Sequence, residues 1–425
     1  MRIRSFVKRI LPKSVISILR SYKKYAPREI IKDIKANDAI EKVRRKKKAN
    51  KEIRVAFIVQ MAEIWDKESP IYDAMKEDSV FEVDLIVVPP YNLENKCIEK
   101  EYGKNNYFIN HYPKCIQAIN NNVWISLEDM GYDYVFVQRP YDHYLPVGFR
   151  SSDIVRFAKL CYVPYGYGGA DVFNAMNTNK FFFRNVYFAF LESEYMAKKL
   201  LRQFRTKREK ENHKIFNCGY PALEPYFLYP RVEKYKTFTW TPRWSFDPVI
   251  GGSNFLNYKD TFISIVKNHP ELKFVFRPHP LMFGEILSKG LMTDDEISEY
   301  LLLLDSLSVK YDKDLPLEES LKRTDVLITD YSTLIIQFYL TGRPIIYCES
   351  CIEMNGIFQK IKKGMYIVND VNDFINEVDK LSDNNDCLKK ERVKIIRSDF
   401  SIHKNATSNI LKMIKNDYFG KGIIV

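Results

Sequence analysis

Short apolar runs separated by helix-like segments dominate the chain. Runs at 53–59, 83–88, 134–137 and 160–163 predict strands, with helical patterns between them and a helix start at 70–76. The alternation resumes at 237–245, written TFTWTPRWS. It continues through a predicted helix at 255–267, a strand at 274–276, a helical region at 283–305 and a helix at 317–322. Residues 326–329 predict a buried strand, 334–340 a helix stopped by Gly342 and Pro344, and 345–347 another strand. A last helix over 408–415 is placed to pack back on the first half. Such alternation predicts parallel sheets. The expected fold class is α/β and GT-B-like, with two Rossmann-like domains facing a central cleft and a basic N-terminal arm. The expected division is an arm at 1–50, a first domain at 51–225, a second at 226–405 and a C-terminal helix and tail at 406–425. FNCGYPALEPYF, 216–227, has the prolines and turn residues of a crossing between domains.

Charge changes the picture of the N-terminus only. Residues 1–50 hold 17 Lys and Arg against 4 Asp and Glu, a balance of +13 in a chain of net +12. The remaining residues are therefore near neutral, which argues against a basic nucleic-acid cleft. In the arm, Ile3, Phe6, Val7, Ile10 and Leu11 interleave with basic residues, and a polybasic stretch follows at 41–50. That composition predicts contact with an anionic membrane surface. A solvated basic tail is the plainer reading of the same residues. No apolar run is long enough to span a bilayer, and no cleavable secretory leader is expected. Seven scattered cysteines, one pair spaced Cys348–Cys351, predict reduced thiols rather than a metal or redox site. No cofactor and no metal are expected. Neither GxGxxG nor GxxxxGK[ST] is present; GYGG at 166–169 does not open a clear helix.

Two stretches carry candidate chemistry. In TDVLITDYSTLIIQFYLTGRPIIYCE, 324–349, Asp330, Tyr331, Ser332 and Thr333 fall where a strand ends and a helix starts. Ligands of parallel sheets bind at the carboxyl ends of strands, and unpaired helix-start N–H groups favour an anion. The residues also fit an ordinary N-cap. In FRPHP, 276–280, two prolines fix the backbone around Arg277 and His279. Arg can grip phosphate with two parallel hydrogen bonds, and His can donate to a leaving oxygen. A structural turn with a surface His fits the same residues.

RPHP followed about fifty residues later by a strand ending in TDYST resembles the second half of the CDP-glycerol glycerophosphotransferase family, the teichoic-acid and capsule alditol-phosphate transferases. WTPRW at 240–244, CGYPALE at 218–224 and ESPIYDAM at 68–75 extend the resemblance. It implies a GT-B fold and transfer of an alditol phosphate, chiefly glycerol phosphate, from a CDP-activated donor to a hydroxyl of a lipid-linked or glycan acceptor, with release of CMP. It implies a first domain for the acceptor and a second for the CDP donor. It also implies a cytoplasmic location on the inner face of the bacterial plasma membrane. Arg243, Arg277, His279, Ser332 and Thr333 would bind the donor; His279, facing the leaving CMP, and Asp330, orienting the loop or touching the alditol, would be catalytic. One departure stands out. Members of the family carry Trp-His-Gly-Thr-Pro in the first domain, with its His as base, whereas CYVPYGYGG at 161–169 has no histidine. His143 beside Asp142 is a catalytic candidate, Glu63 and Asp66 are others, and Tyr165 and Tyr167 are acceptor-side candidates. His111, His213, His269 and His403 read as surface or satisfied residues. A nucleotide-sugar glycosyltransferase of GT-B type and an inactive donor-binding scaffold are the rival readings.

Overall fold

The computed structural model describes residues 27–45, 52–92, 95–99, 106–169, 178–229, 232–247, 251–313, 315, 317–354 and 356–421. The amphipathic segment expected at 1–25 and residues 46–50 of the polybasic stretch lie outside the described residues. The remainder of the arm is the helix Pro27–Arg45. It packs on the first domain through buried ion pairs: Lys180 Nζ lies 2.8 Å from Asp33 and 2.7 Å from Glu209, and Arg184 2.7 Å from Glu29. No helix among the described residues is long and apolar enough to cross a membrane.

The first sheet contains β1 (Ile53–Val59), β2 (Phe81–Val87), β3 (Ile116–Gln117), β4 (Tyr134–Val137), β5 (Lys159–Tyr162), β6 (Val186–Leu191) and β7 (Lys214–Asn217). Their spatial order is β7-β6-β5-β4-β1-β2-β3, and all pairs are parallel. The second sheet contains β8 (Thr237–Thr241), β9 (Lys273–Phe276), β10 (Lys310–Tyr311), β11 (Val326–Thr329), β12 (Ile345–Cys348) and β13 (Tyr366–Val368). Its order is β10-β9-β8-β11-β12-β13, again parallel. Each sheet is doubly wound, with its first and fourth strands adjacent. At that reversal point neighbouring loops diverge to opposite faces and open a crevice.

The central strands are apolar on both faces because helices cover both. β4, β6, β11 and β12 are buried at every position. In the second domain Trp240 is fully buried, 4.7 Å from Phe262 and 5.5 Å from Phe276, centroid to centroid. The region expected as one helical stretch at 283–305 is two helices, Met282–Ser288 and Asp294–Ser306, parted at Gly290 with φ +62°.

The crossing segment Pro221–Leu228 is a 3₁₀ stretch that packs against a second one, Ser401–Asn405. Gly219 precedes it at φ +92°, where a Cβ would sit 2.5 Å from the Ile402 carbonyl oxygen, so only glycine fits. The last helix, Ala406–Phe419, returns to the first domain. There Asp417 accepts hydrogen bonds from the Tyr134 and Tyr187 hydroxyls and from Lys159, each at 2.6 Å.

Candidate active site

The second sheet reverses between β8 and β11, so the loops after Thr241 and Thr329 meet. Asp330 opens the second loop and is fully buried. Its Oδ2 accepts from the Arg243 N–H at 2.9 Å and the Asn254 N–H at 3.2 Å; its Oδ1 accepts from Asn254 Nδ2 at 3.0 Å. Burial pushes its pKa up to about 6, against the pull of these hydrogen bonds. Asp330 therefore ties three loops together and faces inward. The Arg243 guanidinium donates to the Tyr331 carbonyl at 3.1 Å and lies 5.6 Å from the Tyr331 ring centre. Loss of solvent lowers the Arg243 pKa.

His279 follows β9. Its backbone N–H donates to the Pro242 carbonyl at 3.1 Å, and its carbonyl accepts from Met282 at 2.8 Å. Nδ1 accepts the Leu281 N–H at 3.2 Å. A ring nitrogen that accepts carries no proton, so the neutral ring holds its proton on Nε2. The residue is exposed, with its ring 6.1 Å from Trp244. Reduced solvation of the ring and then the Arg243 charge lower its pKa. Ser332 Oγ accepts from the Leu334 N–H at 3.2 Å, and Thr333 is exposed at the helix start with no side-chain cap bond.

Of the second-domain residues singled out from the sequence, Arg243, Asp330, Ser332 and Thr333 lie on the two loops at this reversal. His279 joins them through Pro242 and Arg243. Asp330 is interior to the group rather than part of its surface. Arg277 is turned away: it donates to Asp312 Oδ2 at 3.0 Å and to the Leu315 carbonyl at 2.9 Å. Those two hydrogen bonds hold the loop after β10.

In the first domain the reversal lies between β1 and β4. Glu63 and Asp66 are exposed on the 3₁₀ turn Ala62–Lys67, and Asp66 pairs with Lys67. His143 is exposed on the turn Asp142–Tyr144, its ring 3.9 Å from that of Tyr144. Asp142 is not oriented toward that imidazole but accepts from the Ser151 N–H at 2.7 Å and hydroxyl at 2.6 Å. The Tyr165 hydroxyl shares a 2.8 Å hydrogen bond with that of Tyr141. Tyr167 is buried and away from solvent, between Tyr220, Phe358 and His403.

Three first-domain groups escaped the sequence reading. Arg139 follows β4 and donates to Gln60 Oε1 at 3.1 Å. Its Arg-Pro pairing after an apolar strand repeats that of Arg277, a signal present in the sequence. Glu68 is buried, with neither carboxylate oxygen hydrogen-bonded, and burial pushes its pKa up to about 8. Glu192 follows β6; Oε1 accepts from the Gly168 N–H at 3.0 Å, and burial pushes its pKa up to about 7. Nothing local in the sequence marks these two, because most carboxylates are exposed.

The family model described as CDP-glycerol:poly(glycerophosphate) glycerophosphotransferase matches residues 230–416. No curated protein matches the chain in sequence. Solved structures share its fold at low identity. A UDP-GlcNAc 2-epimerase from Neisseria meningitidis bound to UDP-GlcNAc is 9% identical with TM-score 0.57, covering 86% of this chain and 100% of its own. The S. aureus protein MnaA with UDP is 11% identical with TM-score 0.56, covering 88% and 98%. A wall teichoic acid polymerase, TagF, is 13% identical with TM-score 0.52, covering 93% and 98%. These likenesses establish a two-domain GT-B-like fold.

Proposed function

We propose that residues 230–416, which match the model of CDP-glycerol:poly(glycerophosphate) glycerophosphotransferases, form a transferase domain of that kind, and that the protein moves glycerol phosphate from CDP-glycerol to an acceptor hydroxyl. The acceptor hydroxyl attacks the phosphorus bearing glycerol. The bond from that phosphorus to the bridging oxygen breaks, CMP leaves with its electron pair, and the hydroxyl proton passes to a base. The acceptor is a lipid-linked or glycan chain of a surface polymer such as teichoic acid or capsule. The basic N-terminal segment would hold the enzyme at the anionic inner surface of the plasma membrane.

One observation carries this reading: His279 holds its Nδ1 against Leu281 and so presents Nε2–H beside Arg243. A phosphoryl transfer asks for fixed donors and cations where charge gathers on the leaving group. Nε2–H and Arg243 supply both for the departing CMP phosphate. Ser332 and Thr333 offer hydroxyls to the pyrophosphate. Asp330 acts as a positioning residue that fixes the Arg243 and Asn254 loops. On the first domain, His143 is the proposed base. It is exposed, and among the described residues neither of its ring nitrogens has a hydrogen-bond partner.

The test is CMP release from CDP-glycerol, CDP-ribitol and UDP-sugars by the purified full chain, with membrane extract as acceptor source. CMP from one CDP-alditol, dependent on extract and lost in His279→Ala, supports the transferase. UDP release in its place would move the protein to the glycosyltransferase class. Donor binding without release of any nucleotide would leave a scaffold.

A further inference from the structure

The first-domain crevice holds a half-buried cation with no acid to balance it. Arg139 makes no ion pair among the described residues; Glu63 reaches it only as a more distant charge. Its guanidinium lies 4.2 Å from the centre of the Tyr144 ring. One nitrogen, Nη2, donates to Gln60 Oε1, and Gln60 is itself held from three sides. Gln60 Nε2 donates to the Pro89 carbonyl at 2.9 Å and the Tyr144 carbonyl at 3.0 Å, and its N–H donates to Gln138 Oε1 at 2.7 Å. Gln138 is buried and closes the network by donating to the Met61 carbonyl at 2.8 Å.

This is an expensive arrangement for a surface arginine. Removing a charge from water without a partner is unfavourable, and the loss of solvent indeed lowers the Arg139 pKa. A neutral amide rather than a carboxylate fixes the guanidinium, so the positive charge is oriented but not cancelled. The place is the reversal point between β1 and β4, where ligands of doubly wound sheets bind. Around it stand the phenol of Tyr141, hydrogen-bonded to Tyr165, and the exposed His143 and Glu63. Aromatic rings and hydroxyls of this kind suit a polyol or sugar, and a planar guanidinium suits a phosphate oxygen pair.

We infer that Arg139 is the acceptor-side anion site, the group that would take a phosphate ester of the acceptor. The inference rests on the transferase reading for the word acceptor, but the anion site itself does not. It makes Arg139 a specificity residue. A phosphate on the acceptor completes the ion pair that the fold leaves open, and an uncharged glycan does not. The phosphate belongs either to a growing alditol-phosphate chain or to a lipid pyrophosphate anchor.

The experiment compares the full chain with Arg139→Gln and Arg139→Lys. Binding of glycerol 3-phosphate and of glycerol is measured by titration calorimetry. Acceptor kinetics are measured with a short poly(glycerol phosphate), a prenyl-pyrophosphate-linked disaccharide and an uncharged disaccharide. Loss of one charge-assisted phosphate contact predicts acceptor KM higher by roughly 10- to 100-fold in Arg139→Gln for a phosphate-bearing acceptor. Arg139→Lys recovers part of it, since charge remains without the fork. KM for CDP-glycerol stays within about twofold, since no donor contact is removed. Whichever phosphate acceptor shows the effect identifies its source. Equal losses with charged and uncharged acceptors, or a change confined to CDP-glycerol, would overturn the inference. Arg139-dependent binding of glycerol 3-phosphate without CMP release would retain the anion site and remove the transferase reading. CMP release with Arg139-independent binding would do the reverse. A variant that fails to fold is replaced by Gln60→Leu, which leaves the cation but frees its orientation and predicts a smaller rise in acceptor KM alone.

Discussion

The two halves of the molecule each place an Arg-Pro pair after a strand, and the two arginines do opposite things. Arg277 faces Asp312, whose side chain is 3% exposed, and the Leu315 carbonyl. Its charge is balanced and it braces a loop. Arg139 faces an amide and a tyrosine ring, and its charge is open. Position in the sheet explains the difference. β4 borders the reversal of the first sheet, whereas β9 lies one strand away from the reversal of the second. In the second domain the reversal loops carry Arg243 and Asp330 instead. A shared dipeptide therefore says little, and the strand it follows says much.

The largest expected effect tests the donor half. His279→Ala removes the Nε2–H donor and lowers CMP release by roughly 10²- to 10⁴-fold, the usual range for a positioned proton donor. Single-turnover release with saturating donor checks it. A loss of under about threefold would remove His279 from the chemistry. Because reduced solvation of the ring and the Arg243 charge favour its neutral form, its contribution should persist as pH rises above 7 and fade on acidification, as Nδ1 takes a proton and breaks the Leu281 bond.

The next effect breaks the comparison of the two arginines directly. Arg277→Met leaves the Asp312 carboxylate buried without its cation, which costs about 3 kcal/mol of stability. Arg139→Gln removes no partner's counter-charge and shifts stability by less than about 1 kcal/mol. Urea unfolding of both variants reads the contrast. Equal losses would mean that Arg139 is as structural as Arg277.

Much of the fold was legible because apolar runs bounded by turns are strong signals. The expected strands at 53–59 and 134–137 and the helix at 317–322 coincide with those observed. β6 was not expected: its six apolar residues follow closely on Phe181, Phe182 and Phe183, and no glycine or proline bounds the run on that side. In the candidate site, His279 and the 330–333 turn stood out because prolines and hydroxyls cluster there. Arg277 looked equivalent to them until Asp312, distant in sequence, proved to face it. The amphipathic segment expected at 1–25 lies outside the described residues. Glu68 was invisible for a different reason: its burial is a property of the folded chain, and the segment that it opens, ESPIYDAM, stands out by resemblance without marking which of its residues is interior.

The smallest effect concerns that carboxyl. Glu68 keeps its proton in the folded protein up to about pH 8, while in the unfolded chain it ionises near 4.5. Between those values the folded state holds more protons than the unfolded state, so stability falls as pH rises. The slope is about 1.4 kcal/mol per pH unit at most, giving about 2 kcal/mol between about pH 6 and 7.5. Glu68→Gln keeps the shape and cannot ionise, so it flattens this part of the profile, with its gain over the parent growing toward alkaline pH. Glu192 adds a decline of the same sign, ending near its pKa of about 7, and that decline survives in the variant. Denaturant midpoints at several pH values separate the two contributions. Parallel profiles for parent and variant would show that Glu68 meets water or a cation in solution, and the contrast between the two halves would then rest on the open charge of Arg139 and the paired charge of Arg277 alone.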